Sequence, residues 1–189
     1  MDKQLYMIAV VPDNDAKVLI DKIREDFSDK YQVNEALRNP AHITVVPPFH
    51  ATKEQVEIIK AAFEKLYRSV DAFKVVIDKY GFFKKNRVVF LEPVDDKTLP
   101  RMMRKAERVI TDNCPDIKLK VIKRHTPHIT IGYRDLSKAV FDTTVEELQD
   151  KTESISWTLG NIQIWERGKD SWSTIYEIPL AKEHKRKEP

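Results

Sequence analysis

Apolar and polar residues alternate or recur along this chain with two periods, and the switches between them mark out its elements. Leu5-Tyr6-Met7-Ile8-Ala9-Val10-Val11 is a continuous apolar run, too short to span a bilayer, and reads as a buried strand. Ala16, Leu19, Ile20, Ile23 and Phe27 follow the helical period behind Asp13 or Asn14 as cap. Thr52-Lys53-Glu54-Gln55 is a capping box and opens a helix with Val56, Ile59, Phe63 and Leu66 on one face. Phe73, Val75 and Ile77 alternate with polar or smaller residues as a strand, Gly81 marks a turn, and Val88 to Leu91 reads as another buried strand. A helix capped by Thr98 or Asp96, with Pro100 in its first turn, carries Leu99, Met102, Met103, Ala106, Val109 and Ile110 and stops at Pro115. Ile117, Leu119 and Val121 alternate with Lys118 and Lys120, which predicts a short edge strand. A helix is expected between Ser137 and Gln149, capped by Thr143 or Thr144. Trp157, Leu159, Ile162 and Ile164 are expected to form a strand or bulged strand around Gly160, and a last strand runs from Thr174 to Leu180. The charged tail 182–189 is expected to fray.

Two stretches interrupt these periods in the same way. His42-Ile43-Thr44-Val45 and His128-Ile129-Thr130-Ile131 each read His-apolar-Thr-apolar, with Pro40 and Pro127 close upstream. In an extended chain this places His and Thr on one face and the apolar pair on the other. Pro47-Pro48 is expected to end the first of these strands. The element order strand, helix, His-x-Thr strand, helix, strand runs from Leu5 to Ile77 and again from Val88 to about Ile164. Leu5 to His42 spans 37 positions and Val88 to His128 spans 40. Matching order at similar spacing points to an internal duplication, and a pseudo-twofold axis would bring the two motif strands together in one cleft.

Composition narrows the chemistry. A chain of 189 residues with 41% hydrophobic and 33% charged residues describes one domain with a highly charged surface. The net charge of +3 permits an anionic ligand without demanding a nucleic-acid field. One cysteine, Cys114, excludes an internal disulfide and fits a reducing compartment; with no export signal, the cytoplasm is the expected location. Four glycines leave no dinucleotide or triphosphate loop, and Gly-x-Ser-x-Gly is absent. No cysteine–histidine cluster has zinc spacing, though two histidines completed by distant carboxylates leave a metal reading open. Two histidines with two threonines suffice for phosphodiester cleavage, which needs a base for the attacking oxygen and an acid for the leaving one. The hydroxyls can donate to the non-bridging oxygens.

The paired motif, and the longer string Ala41-His42-Ile43-Thr44-Val45-Val46-Pro47-Pro48-Phe49, resemble the signature of the two-histidine (2H) phosphoesterase superfamily, and especially its 2′-5′ RNA ligase-like branch. The Gly81-Phe82-Phe83 strand lead and the Tyr176-containing last strand share the likeness. The resemblance implies an α+β fold, a bilobal pseudo-twofold duplication whose two antiparallel sheets line a central cleft with helices outside. The lobes would be built from about 5–80 and 87–180, possibly exchanging strands, within one domain over 1–189. It implies His42 and His128 as the acid–base pair, Thr44 and Thr130 as phosphate ligands, and no metal or other cofactor. The expected substrates are RNA 3′ ends or small nucleotides bearing 2′,3′-cyclic phosphates, or 2′-5′ linkages, with ligation as the reverse reaction. A non-catalytic RNA-end or nucleotide-binding module is the alternative. No membrane or obligate protein partner is expected, and the chain is expected to be a monomer. Phe82, Phe83 or Tyr133 could stack on a base, and Lys85, Arg87, Lys123 or Arg134 could hold a flanking phosphate, but core aromatics and solvated charges are the better reading of each.

Overall fold

The computed structural model describes residues 2–94, 97–122 and 124–181. Strand β1 (Gln4–Val10) leads to helix α1 (Asn14–Tyr31), a short 3-10 turn (Glu35–Arg38), β2 (Ile43–Ala51), α2 (Lys53–Tyr67) and β3 (Phe73–Phe83). The second half runs β4 (Val88–Pro93), α3 (Thr98–Asn113), β5 (Ile129–Gly132), α4 (Lys138–Leu148), β6 (Thr152–Leu159), β7 (Asn161–Arg167) and β8 (Trp172–Pro179). All the strands form one antiparallel sheet in the order β6-β3-β4-β5-β2-β1-β7-β8. The expectation of two sheets is therefore corrected to one. Ile43 pairs directly with Ile129, and this short seam between β2 and β5 stitches two four-stranded wings into one sheet.

The sheet has to curl, because β6 and β7 are separated only by Gly160 yet belong to opposite wings. The Ala181 N–H donates to the Val70 carbonyl and the Ala72 N–H to the Ala181 carbonyl, at 2.8 and 2.9 Å. The end of β8 thus meets the start of β3, closing one end of a half-barrel. The helices pack on the face opposite the cleft, and each half covers the other's motif strand: α1 lies on β5 and α3 on β2. Ile8, Ile20, Ile43, Ile59, Ile77, Ile110, Ile129 and Ile131 are among the fully buried side chains between them. Burying each isoleucine contributes roughly 1.5–3 kcal/mol.

Local chemistry explains which boundaries hold. Asp13 caps α1 by accepting from the Ala16 N–H at 3.0 Å. The Thr52–Gln55 capping box is complete. Pro47 and Pro48 do not end β2. They lie where β2 carries one residue more than β1, between the pairs Ile8–Val46 and Tyr6–Phe49, so the ladder asks no donor of them. Gly81 sits inside β3, not in a turn; a Cβ there would lie 2.2 Å from the Phe90 ring. Helix α3 starts at Thr98 behind Lys97 in a left-handed conformation, without a side-chain cap, and Asp96 lies outside the described residues. Ser137, not Thr143 or Thr144, caps α4, accepting from the Val140 N–H at 3.2 Å. Gly160 separates two strands instead of bulging one. Residues 117–121 form no strand: both edges of β5 are already taken, by β4 and β2, and Val121 is 87% exposed. The tail 182–189 lies outside the described residues.

Candidate active site

The seam between β2 and β5 brings the two motifs together. Continuing the Ile43–Ile129 register by one residue each way sets His42 across from Thr130 and Thr44 across from His128. The four polar side chains share the cleft face, while Ile43, Val45, Ile129 and Ile131 point into the core. Histidines occupy one diagonal of this quartet and threonines the other. Such diagonal neighbours lie about 7–8 Å apart, which leaves room for a phosphate group between the imidazoles.

Both rings are held in the same way. His42 Nδ1 lies 2.8 Å from the Pro40 carbonyl oxygen, and His128 Nδ1 lies 2.8 Å from that of Thr126. A carbonyl can only accept, so each Nδ1 carries a hydrogen and each neutral ring has its lone pair on Nε2. Burial pushes both imidazoles below the usual histidine range, and the two carbonyl hydrogen bonds oppose this in part. His42 is lowered further by Arg24 and by His128, whereas Glu92 raises His128.

Aromatic walls flank the pair. The Trp165 ring centroid stands 5.0 Å from that of His42, and those of Phe83 and Phe90 stand 5.0 and 5.1 Å from His128. Trp165 is held through its Nε1, which donates to Gln163 Oε1 at 2.7 Å; Thr174 Oγ1 donates to the same oxygen at 3.1 Å. With Met7 and Ala9, Trp165 forms a small apolar cluster separate from the main core. The Thr44 hydroxyl lies 3.8 Å from Met7 Sδ, a weak contact that leaves it available to a ligand.

The weaker sequence candidates part company here. Phe83 faces His128, but Phe82 points to the other side and packs edge-on against Phe141. Tyr133 lies beneath the Arg134 guanidinium, and Arg87 Nε donates to the Leu136 carbonyl at 2.9 Å. Lys85 lies exposed in the turn after β3, and Lys123 is outside the described residues. Phe90, Trp165, Arg24 and Glu92 were missed by sequence reasoning. Trp165 carried a signal, since it alternates with the core residues Ile162 and Ile164 and so belongs to the opposite face. Among the described residues no group of three or more His, Cys, Asp or Glu side chains is placed to hold a metal ion. No described helix is long and apolar enough to cross a membrane.

Comparison with known proteins agrees with this arrangement. The sequence profile of the 2′-5′ RNA ligase superfamily matches residues 11–171. The chain belongs to that superfamily, the two-histidine phosphoesterases. A "Putative phosphoesterase" of Geobacillus sp. (strain WCH70) is 25% identical over 178 residues, covering 93% of this chain and 95% of that one. A second of that name from Geobacillus kaustophilus (strain HTA426) is 21% identical over 174 residues, covering 91% and 93%. Among solved structures, Escherichia coli LigT complexed with 3′-AMP superposes with a TM-score of 0.68 at 16% identity, covering 95% of this chain and 99% of LigT. TT0787 of Thermus thermophilus gives a TM-score of 0.65 at 15% identity, covering 95% of this chain and 100% of that one. LigT has also been solved with ATP and with phosphate.

Proposed function

We propose that this protein is a phosphoesterase acting on RNA ends or nucleotides, and that it opens 2′,3′-cyclic phosphates by acid–base catalysis between His42 and His128 without a metal ion. The observation that carries this is the diagonal pair of imidazoles, each with Nδ1 tied to a backbone carbonyl and Nε2 left for proton transfer. In this reaction one neutral imidazole takes a proton from water as the water oxygen bonds to phosphorus. The P–O3′ bond breaks, and the other imidazole, protonated, gives its proton to O3′, leaving a 2′-phosphate. Thr44 and Thr130, on the other diagonal, donate to the non-bridging oxygens as negative charge builds there. A purely binding module would need the hydroxyls but not two tethered proton carriers. Joining of a cyclic phosphate to a 5′-hydroxyl would use the same pair in reverse. The nucleotides with which LigT has been crystallised, 3′-AMP and ATP, support a ligand of this class.

The test is hydrolysis of nucleoside 2′,3′-cyclic phosphates in excess EDTA, with a parallel ligation assay on cyclic-phosphate and 5′-hydroxyl RNA ends. Wild-type turnover should persist in chelator. His42→Ala and His128→Ala should each lose on the order of a hundredfold or more. Full activity in either variant would refute the acid–base assignment, and loss on chelation would refute metal independence.

A further inference from the structure

The two histidines are equivalent in the ladder but not in their neighbours. Across β4 and β5, Phe90 pairs with Thr130 and Leu91 with Ile129, so the next position sets Glu92 across from His128. Across β1 and β2, Ala9 pairs with Thr44 and Val10 with Ile43, so the corresponding position across from His42 is Val11. The pseudo-twofold axis thus relates a carboxylate beside one imidazole to an isopropyl group beside the other. Opposed residues of a ladder have Cβ atoms about 4.5–5.5 Å apart, close enough for Glu92 to bear on the charge of His128.

Behind His42 the asymmetry is reinforced with the opposite sign. Arg24 reaches from α1 and is only 4% exposed. Its guanidinium donates to the carbonyl of Ala36 and, at 2.8 Å, to that of Asn39, next to the Pro40 whose carbonyl holds the His42 ring. Asp21 accepts from it at 3.0 Å, so the cation is partly balanced on its own helix; Glu25, Lys17 and Arg38 line the same cavity. At the equivalent place behind His128, α3 supplies Glu107, whose carboxylate meets His125 Nε2 at 2.8 Å in the strap leading to Thr126. Lys79 approaches Glu92 at 3.8 Å, and Arg124 lines the cavity beside Glu92 and Thr126.

We infer that Glu92 and Arg24 are positioning residues that make the imidazole pair unequal, so that the proton it takes up with an anionic phosphodiester resides on His128 while His42 stays neutral. On the proposed reaction, which the kinetic arm of the test presupposes, His42 is then the base and His128 the acid. The attacking water comes from the Trp165 side and the leaving oxygen from the Phe83–Phe90 side.

The experiment follows both imidazoles by NMR titration in the whole protein, with and without inorganic phosphate, in wild type, Glu92→Gln, Arg24→Met and the exchange Val11→Glu/Glu92→Val. In wild type His128 should titrate at higher pH than His42. Glu92→Gln should lower the His128 midpoint by roughly half a pH unit or more and leave His42 nearly unmoved. Arg24→Met should raise the His42 midpoint; should that variant fail to fold, the exchange variant, which should reverse the order of the two midpoints, decides. In kcat/KM against pH, Glu92→Gln should move the alkaline limb down and leave the acid limb in place. His42 titrating above His128 in wild type, or Glu92→Gln leaving His128 in place, would overturn the inference; in the latter case Glu92 serves only Lys79. The NMR order does not depend on turnover, so absence of cyclic-phosphate hydrolysis would sink the proposed function and not this inference.

Discussion

The wing that carries His42 and the wing that carries His128 share a ladder geometry and differ in almost everything laid upon it. Pairing relates Ala9 to Phe90, Gln163 to Gly81 and Trp165 to Phe83. On the His128 side a phenyl ring from β4 fills the space over a glycine of β3. On the His42 side β1 offers only a methyl group, and β7 fills the space with Gln163, which in turn locks the indole. Volume is redistributed between neighbouring strands while the imidazoles keep their tethers. The proposed reacting groups depend on register, which tolerates no slip, whereas the walls need only fill their space.

That comparison can be broken from several sides. The largest effect should come from the imidazoles themselves: the losses in His42→Ala and His128→Ala should agree within about tenfold, because in the proposed reaction each removes one of two obligatory proton transfers. A hundredfold difference in steady-state rates would show that one wing carries the chemistry alone. Next is Gly81→Val, which drives a branched side chain into Phe90 and should cost about 1–3 kcal/mol in urea unfolding. The wings' relation predicts that adding Phe90→Ala to Gly81→Val recovers part of that loss. Thr44→Val and Thr130→Val should each slow turnover by roughly tenfold with unchanged circular dichroism, since in the proposed reaction each removes one donor to charge. A collapse of the fold in either would make that hydroxyl structural.

Smaller effects sharpen the picture further. Both imidazoles are pushed down by burial, so as pH falls the unfolded chain takes up their protons first. This contribution to stability is fully present above about pH 6.5 and is lost as pH falls toward the folded values. Urea midpoints measured between pH 7.5 and 5 should fall less steeply in His42→Gln/His128→Gln than in wild type. Thr52→Ala should cost about 1 kcal/mol by removing the α2 cap.

The same contrast separates what was legible in the sequence from what was not. His42, Thr44, His128 and Thr130 announce themselves because strand alternation is local and the motif is repeated. Asp13 and the Thr52 box were legible for the same reason, since a cap acts within three residues. The meeting of β2 with β5 was expected from the duplication, but the single curled sheet was not, because the Ile43–Ile129 seam joins residues 86 positions apart. Trp165 beside His42 depends on β1 pairing with β7, which no local pattern encodes. The Pro47-Pro48 error has the opposite origin. Proline lacks a donor wherever it stands, but β2 is bulged there and leaves those donors unneeded. Arg24 carries no local signal, being one charge among many on α1; only the return of the chain at Ala36 and Asn39 buries it.

The closure of the half-barrel bears on how the protein comes into being on the ribosome. Strand β1 is made long before its partner β7, which is completed only at Arg167, and the clasp between Val70 and Ala181 forms later still. Contacts of such separation make for slow folding, because loop closure must precede their reward. His42 is therefore synthesised long before the indole that walls it. During that interval β1 presents an unpaired apolar edge, open to aggregation while synthesis is under way.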